Sequence, residues 1–379
     1  MKDLNNNSLK LLNPNDAPLI SIIIPTYNDS IHICKSIDSA LAQKTTNIEI
    51  IVIDDLSTDN TKQILNKKYG SNNKVKLYFQ NKNKKQGFER NFGINKSKGK
   101  YVFFIDSDDW ILKDTLIHLV SIAEKNKCDM VACGANTINE KGEEKFFHGV
   151  DLKSIGGVQG LSLYAENKIG SIVWNKLYLR EFLITNKIFF DTKYWHEDVL
   201  FSLNAIYKCK KYISISIPYY NYLIRNDSNM RVKQDKHYLF SYLNLYTEMC
   251  KFITKNITSN NLFEKNLKIN LIKSHCFINT FPNLLRYFSS RPGEEFKDDL
   301  IDVFYSKNKL YGYGLAQFIY SSIASYYKAE NKLLETKNNF SITNTELKII
   351  NQIRKIKHKI IPQNSTRKII FDKLKMISH

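Results

Sequence analysis

Clustered carboxylates follow two short apolar runs in the first third of the chain. Asp54-Asp55 comes directly after one run, and Asp106-Ser-Asp-Asp109 comes after another. Carboxylate oxygens are the ligands that Mg²⁺ and Mn²⁺ prefer, and such a cation can bridge one or two carboxylates to a diphosphate. Each cluster by itself is equally compatible with capping of the helix that follows it. The chemistry that both suggest is binding of a phosphorylated ligand through a divalent cation.

Two further motifs lie downstream and have a similar ambiguity. Glu197-Asp198 stands just before the apolar residues 199–201, where an ordinary helix start explains the two acids as well as a chemical role does. Trp174-Asn-Lys176 is as compatible with packing in the core as with contact to a ligand. The order and spacing of these motifs on one framework favour a shared site.

The first half of the chain predicts such a framework, because apolar runs alternate with stretches of helical periodicity. The predicted strands are 19–25, 48–53, 75–79, 101–105 and 128–133, and the predicted helices are 30–43, 58–69, 88–97 and 113–126. This alternation is typical of βαβ units in a doubly wound α/β sheet. Ligands of such sheets bind beyond the carboxyl ends of the strands, where Pro25-Thr-Tyr-Asn28 and both carboxylate clusters lie.

The rest of the chain predicts helices and a basic tail. Residues 158–210 favour helices, and residues 212–217 favour a strand with one exposed face. The tail carries nine Lys or Arg residues against two acids, with aliphatic residues at helical spacing. This pattern suits a helix on an anionic membrane, and also a helix that packs on its own protein or dimerises. We predict an N-terminal tail, a nucleotide-binding domain, a helical region and a basic tail, at 1–17, 18–232, 233–345 and 346–379.

Composition narrows the class of protein. The chain has 379 residues, 43% of them hydrophobic, and a formal net charge of +19. Such a charge favours an anionic partner, and a phosphorylated ligand, a nucleic acid and an acidic lipid surface all qualify. No apolar run approaches the ~18 residues of a membrane span, and no apolar core of a secretory signal is present. We expect a cytoplasmic protein whose six scattered cysteines are reduced thiols.

The motifs, taken in order, resemble those of the inverting glycosyltransferases of the GT-A fold, in the large bacterial family 2 group. The resemblance covers about residues 18–230. The matching segments are Ile22-Ile-Ile-Pro-Thr-Tyr-Asn28, Glu49-Ile-Ile-Val-Ile-Asp-Asp-Leu-Ser-Thr-Asp59, Glu89-Arg-Asn-Phe-Gly-Ile94, Gly99-Lys-Tyr-Val-Phe-Phe-Ile-Asp-Ser-Asp-Asp109, Trp174-Asn-Lys-Leu-Tyr178 and His196-Glu-Asp-Val-Leu-Phe201.

The resemblance implies a nucleotide-sugar donor and a role for each matching residue on the nucleotide side. Pro25 and Tyr27 are expected to line the base and the ribose. Asp55 is expected to accept a hydrogen bond from the uracil imide. Arg90 is expected close to the base or the diphosphate, and Asp106 at the ribose.

The resemblance also implies the residues of the chemical step. A divalent cation, Mn²⁺ or Mg²⁺, is expected on Asp108 with help from Asp106. Asp198 is the implied catalytic base, and Glu197 is its nearest competitor. Further contacts with the donor sugar or the acceptor are expected from Asp109, Trp174, Asn175 and Lys176.

Two segments depart from the family's usual pattern. Leu56 stands where a glycine is usual. The segment Gln86-Gly-Phe-Glu-Arg-Asn91 stands where a small-residue G-x-x-x-A-R-N pattern is usual. The first departure affects a turn, and the second affects the surroundings of Arg90.

We therefore predict an inverting transferase that moves a sugar, with UDP as the expected carrier, to a hydroxyl of a glycan or a lipid-linked acceptor. Bacterial surface polysaccharide or lipooligosaccharide synthesis is the expected setting, with the basic tail on the inner face of the cytoplasmic membrane.

Other classes of protein fit the sequence less well. The first strand is not followed by the G-x-G-x-x-G of a dinucleotide-dependent oxidoreductase. A sugar nucleotidyltransferase needs a glycine-rich basic loop after the same strand, and this loop is also missing from the sequence. A nucleic-acid-binding protein remains an alternative, although no zinc-ligand spacing or RNP motif occurs, and we expect no nucleic-acid partner.

Overall fold

The computed structural model describes residues 17–44, 47–193, 196–225, 236–258 and 261–274. The described residues up to 225 belong with residues 253–274 to one compact unit. The predicted basic tail at 346–379 and most of the predicted helical region at 233–345 lie outside the described residues. No helix in the described ranges is long and apolar enough to cross a membrane.

Ten strands and nine helices occur in the described ranges. The strands are β1 (Ile20–Thr26), β2 (Ile48–Asp54), β3 (Val75–Phe79), β4 (Tyr101–Phe104), β5 (Trp110–Ile111), β6 (Met130–Asn139), β7 (Glu144–His148), β8 (Leu152–Ile155), β9 (Lys176–Leu179) and β10 (Tyr212–Ile224). The helices are α1 (Ile33–Leu41), α2 (Thr61–Tyr69), α3 (Lys85–Lys96), α4 (Thr115–Asn126), α5 (Gly157–Ala165), α6 (Arg180–Thr185), α7 (Glu197–Lys208), α8 (Lys236–Asn256) and α9 (Leu262–Ser274).

The strands form one sheet in the order β3-β2-β1-β4-β9-β6-β10-β5, with β7 paired to β6 and β8 paired to β10. Strands β3, β2, β1 and β4 run parallel, as predicted for βαβ units. Strand β9 is antiparallel to both β4 and β6. Every residue of β1 and β2 is buried, because helices cover both faces of a parallel sheet. The predicted α/β sheet is therefore present, with an antiparallel strand in its middle.

The prediction of helices throughout 158–210 is wrong at residues 176–179, which form β9. Three of these four residues are buried. A strand that is buried on both faces shows no alternation of apolar and polar residues. Periodicity therefore cannot distinguish a segment this short from a helix. The predicted strand 212–217 is correct but short, since β10 continues to Ile224.

Helix α3 approaches β1 closely at a glycine. A Cβ atom on Gly93 would lie 2.4 Å from Cγ2 of Ile23, so any side chain there would push the helix off the sheet. This contact sets the height of α3 above the carboxyl ends of the strands. The residues at the start of α3 are thereby held over that edge.

Helix α4 ends on a residue with left-handed backbone, Lys127 at φ 52°. The N–H groups of Lys127 and Cys128 bond back to the last turn of the helix, as in a Schellman motif. A lysine in this conformation costs about 1–2 kcal/mol that a glycine avoids. The exposed Lys125, two residues earlier, lies within the helix.

We expect Lys127→Gly to raise the free energy of unfolding by about 0.5–1 kcal/mol, because the glycine relieves the left-handed strain at some cost in chain entropy. Lys125→Gly is the matched control and should lower it by about 1 kcal/mol, since its backbone is helical. Urea or thermal unfolding of both variants checks the prediction. Equal losses of stability at the two positions would contradict it.

Candidate active site

The ends of β1 and β2 are tied together by Asn28. Its backbone is left-handed, with φ 49°. The side-chain oxygen of Asn28 accepts a hydrogen bond from the N–H of Thr58 at 2.7 Å. The backbone N–H of Asn28 donates to Oγ of Ser57 at 2.8 Å. Asparagine tolerates this conformation better than most residues do. The two strand ends therefore form one rigid edge.

Asp55 lies at this edge and is almost fully buried. Its two carboxylate oxygens accept hydrogen bonds from the N–H groups of Lys84 and Lys85, at 2.7 and 2.8 Å. Tyr27 is 50% exposed, so a face of its ring can stack on a flat ligand, whereas Pro25 is buried in β1. The predicted base-binding residues Tyr27 and Asp55 thus follow neighbouring strands, with Asp55 fixed by the loop before α3.

Arg90 is buried between Asp106, which follows β4, and the start of α7. Its Nη2 donates to Oδ1 of Asp106 at 2.8 Å, and its Nη1 donates to Oε1 of Glu197 at 2.8 Å. Burial opposes the charge of the guanidinium, but the two carboxylates outweigh it and raise the pKa of Arg90. Gln86 also donates to Oδ1 of Asp106, at 3.0 Å. The sequence placed Arg90 near the base or the diphosphate, and in this structure it bridges Asp106 and Glu197.

Helix α3 can meet α7 this closely because residue 87 is a glycine. A Cβ atom on Gly87 would lie 2.9 Å from Cγ of Glu197 and 3.2 Å from the carbonyl oxygen of Asp191. The absence of a side chain at this position lets Glu197 reach the guanidinium of Arg90.

The acid pair at the start of α7 is asymmetric. Glu197 is engaged by Arg90, whereas Asp198 is bonded by backbone N–H groups at the start of the helix. Burial raises the pKa of Asp198 to about 6, although the charge of Arg90 opposes the shift. Burial also raises the pKa of Glu197, and Arg90 again opposes it. The helix thus presents one acid in an ion pair with Arg90 and a second acid that forms no ion pair within the part of the chain that the structure describes.

Asp108 faces two charged groups that the sequence did not predict. Its Oδ2 lies 3.1 Å from Nε of Arg225, and Nη1 of Arg225 lies 3.4 Å from Oδ1 of the buried Asp29. Burial raises the pKa of Asp108 to about 6, with a further contribution from the charge of Asp106. Asp29 directly follows the strand-end segment Pro25–Asn28. This position in the sequence could have identified Asp29 as a candidate.

The donor set at Asp106 and Asp108 suits a divalent cation. Both side chains are about one fifth exposed and present carboxylate oxygens, the ligands of Mg²⁺ and Mn²⁺. Within the described residues, no three His, Cys, Asp or Glu side chains form a metal cage. A cation that also binds diphosphate oxygens needs only one or two carboxylates from the protein. The residues present therefore fit a cation that arrives with its ligand.

Asp109 braces the loop after β4 from inside. Its Oδ2 accepts from the hydroxyl of Tyr220 at 2.7 Å, and its Oδ1 accepts from the N–H of Leu223 at 2.8 Å. Burial raises the pKa of Asp109 well above its ordinary value. The same Tyr220 hydroxyl accepts from the N–H of Asp106 at 3.2 Å. Tyr220 is a further residue that sequence reasoning missed, because its link to Asp109 exists only in the folded sheet.

The segment Trp174-Asn-Lys176 lies beside this brace. Asn175 donates to the carbonyl of Cys133 at 2.6 Å, and the buried Lys176 amine donates to the carbonyl of Ile172. Burial lowers the pKa of Lys176 to about 7. The indole of Trp174 stacks on Tyr220 with ring centroids 4.3 Å apart. These contacts support the sheet, and contact of the three residues with a sugar stays a prediction.

Comparison with known proteins finds glycosyltransferases. The family model described as Glycosyl transferase family 2 matches residues 21–212, about half of the chain. An uncharacterized glycosyltransferase of Rickettsia typhi is 31% identical over 248 residues, which is 64% of this chain and 73% of that protein. A poly(ribitol-phosphate) beta-glucosyltransferase of Bacillus spizizenii is 34% identical over 215 residues, 55% of this chain and only 32% of that protein.

The fold also matches that of a solved structure. S. aureus TarS 1–349 in complex with UDP-GlcNAc matches 86% of this chain and 95% of its own, with a TM-score of 0.60 and 19% sequence identity. The predicted GT-A fold and the predicted enzyme class are confirmed. This chain belongs to glycosyl transferase family 2.

Proposed function

We propose that this enzyme transfers a sugar from a UDP-sugar to a hydroxyl of a glycan or a lipid-linked acceptor, with inversion at the anomeric carbon. The observation that carries the proposal is the Arg90 bridge, which holds Asp106 of the nucleotide edge and Glu197 of the acid pair on one guanidinium. The UDP-GlcNAc bound to TarS and the polymer named for the B. spizizenii relative support the two substrate classes.

Recognition of the nucleotide falls to the edge formed by β1, β2 and β4. Asp55, fixed by two backbone N–H groups, is oriented to accept the imide N–H of uracil. The exposed ring of Tyr27 stacks on the base. Asp106, held by Arg90 and Gln86, accepts a ribose hydroxyl.

Asp108, with Asp106, is proposed to hold Mg²⁺ or Mn²⁺ against the diphosphate. When bound, the cation neutralises the charge that develops on the leaving diphosphate. The Arg225 guanidinium stands 3.1 Å from Asp108 and partly balances the charge of that carboxylate.

Asp198 is proposed as the general base. The acceptor oxygen forms a bond to the anomeric carbon as the bond to the diphosphate breaks, UDP leaves with that electron pair, and the hydroxyl proton passes to Asp198. A single displacement of this kind inverts the anomeric centre. Glu197 is already committed to Arg90, which leaves Asp198 as the acid able to take the proton.

We expect Asp198→Asn to lower turnover by about 10²–10⁴, because the amide keeps the shape of the side chain and cannot accept a proton. UDP-sugar affinity should change little. Wild-type turnover should fall as the pH drops below about 6, since protonation of Asp198 removes the base. Transfer assays with calorimetric measurement of donor binding check both statements. Glu197→Gln is the comparison, and a fully active Asp198→Asn beside an inactive Glu197→Gln would reverse the two roles.

We expect tight donor binding to require Mn²⁺ or Mg²⁺, and Asp108→Asn to weaken that requirement greatly. The reason is that a diphosphate meets an acidic edge of the sheet, which needs a cation between the two. Calorimetry of UDP binding with the cation and with excess chelator measures the effect. Full activity of the wild type in chelator would refute the metal proposal.

The basic tail at 346–379 is proposed to attach the enzyme to an anionic membrane surface, where each Lys or Arg contributes about 1 kcal/mol. We expect the full-length protein to float with anionic liposomes and to lose this on replacement of the tail's lysines by glutamine. Neutral liposomes are the control. Equal flotation of both proteins with anionic liposomes would exclude the tail as the anchor.

A further inference from the structure

A second carboxyl group lies buried beside Asp55. Glu89 on α3 is fully buried, and its Oε2 accepts a hydrogen bond from Nε2 of Gln80 at 2.9 Å. Its other oxygen, Oε1, is buried and receives no donor from the described residues. The side chain of Asp55 lies within hydrogen-bonding reach of Glu89. A buried carboxylate oxygen without a donor is costly, so this contact needs an explanation.

A proton between the two carboxyl groups explains it. The two oxygens of Asp55 already accept hydrogen bonds from the N–H groups of Lys84 and Lys85. The Asp55 carboxylate is therefore stabilised in its ionised form. Two buried carboxylates in contact repel each other unless one of them carries a proton. Glu89 has a single amide donor and no exposure, and is therefore the group that takes the proton.

We infer that Glu89 in its protonated form donates a hydrogen bond to Asp55, which positions that carboxylate for the nucleotide base. The inference rests on the proposed role of Asp55 toward uracil. Glu89 lies in the segment Gln86–Asn91, which departs from the family's usual small-residue pattern. The inferred hydrogen bond makes Glu89 a positioning residue that acts through Asp55.

The charges around Glu89 agree with this assignment. Burial raises the pKa of Glu89 to about 7, Gln80 opposes the shift, and the neighbouring Asp55 adds to it. Lys84 is the cation that faces the pair and lowers the pKa. Arg90, next on α3, directs its Nη1 and Nη2 groups at Glu197 and Asp106.

The consequence is a dependence of binding on pH. The pKa of Glu89 in the fold is above its ordinary value, so the favourable protonated state is fully present at low pH and is lost as the pH rises through about 7. Ionised Glu89 places a second negative charge against Asp55 and repels it from its position. Affinity for a base with an imide N–H should then decrease.

The test is the affinity of UDP in Mg²⁺ for the wild type and for Glu89→Gln, between about pH 6.5 and 8.5. A glutamine amide donates to Asp55 at every pH and mimics the protonated acid. We expect similar dissociation constants at the lower limit. Above about pH 7 the wild-type value should rise relative to the variant, by at most about tenfold per pH unit for one proton. Ionisation of the nucleotide and of Asp108 cancels in this ratio.

Glu49→Gln is the matched control. Glu49 is also buried, but hydrogen bonds from Lys76, Ser21 and Lys98 outweigh its burial and lower its pKa. Its replacement should leave the pH profile of UDP binding unchanged. A constant ratio of the wild-type and Glu89→Gln constants across the range, in a protein that binds UDP, would overturn the inference.

A second measurement separates this inference from the proposed function. The melting temperature without UDP should fall in the wild type relative to Glu89→Gln as the pH rises from about 4.5 to about 7 and then level off, because unfolded Glu89 is ionised throughout this range whereas folded Glu89 keeps its proton until about 7. Absence of UDP binding in every variant would reject the proposed donor. A difference in melting temperature that stays constant between about pH 4.5 and 7 would reject the protonated pair, whatever the donor is.

Discussion

The buried guanidinium of Arg90 is the interaction on which the candidate site depends. It makes one 2.8 Å contact to the nucleotide edge and another to the acid pair of α7. A buried charge of this kind is tolerated only with partners in good geometry, and loss of one partner costs about 3–5 kcal/mol. Gly87 and Gly93 allow α3 to deliver Arg90 to that place. Folding of α3 onto β1 and assembly of the site are therefore one requirement.

Four residues in or next to the segments of the candidate site have unfavourable backbone conformations. Asn28, Leu56, Lys85 and His196 all have positive φ, between 49° and 68°. Each such conformation costs a non-glycine residue about 1 kcal/mol or more and persists only where its surroundings fix it. At Lys85 the surroundings include the hydrogen bond to Asp55, and at Asn28 they include Ser57. At these two residues the strained backbone directs an N–H group at a particular side chain.

The second half of the sheet supports the site from behind. Tyr220 of β10 holds both Asp109 and the N–H of Asp106, although the chain positions of Tyr220 and Asp109 differ by 111. Trp174 stacks on that tyrosine, and β9 follows it into the middle of the sheet. The loop Asp106-Ser-Asp-Asp109 is consequently hydrogen-bonded to β10 on its inner side, while Asp108 stays partly exposed.

The sequence by itself determined the α/β framework, the strand ends and the family, because apolar runs and motif residues are local properties. It also identified Asp55, Asp108 and the Glu197-Asp198 pair as candidates. The tertiary structure alone decided which groups meet. The Arg90 bridge joins residues 107 positions apart, and the Glu89 contact depends on how α3 lies over β2. Strand β9 escaped prediction because burial on both faces removes the alternation that marks a strand. Pairings between distant segments follow from packing, which no local pattern encodes.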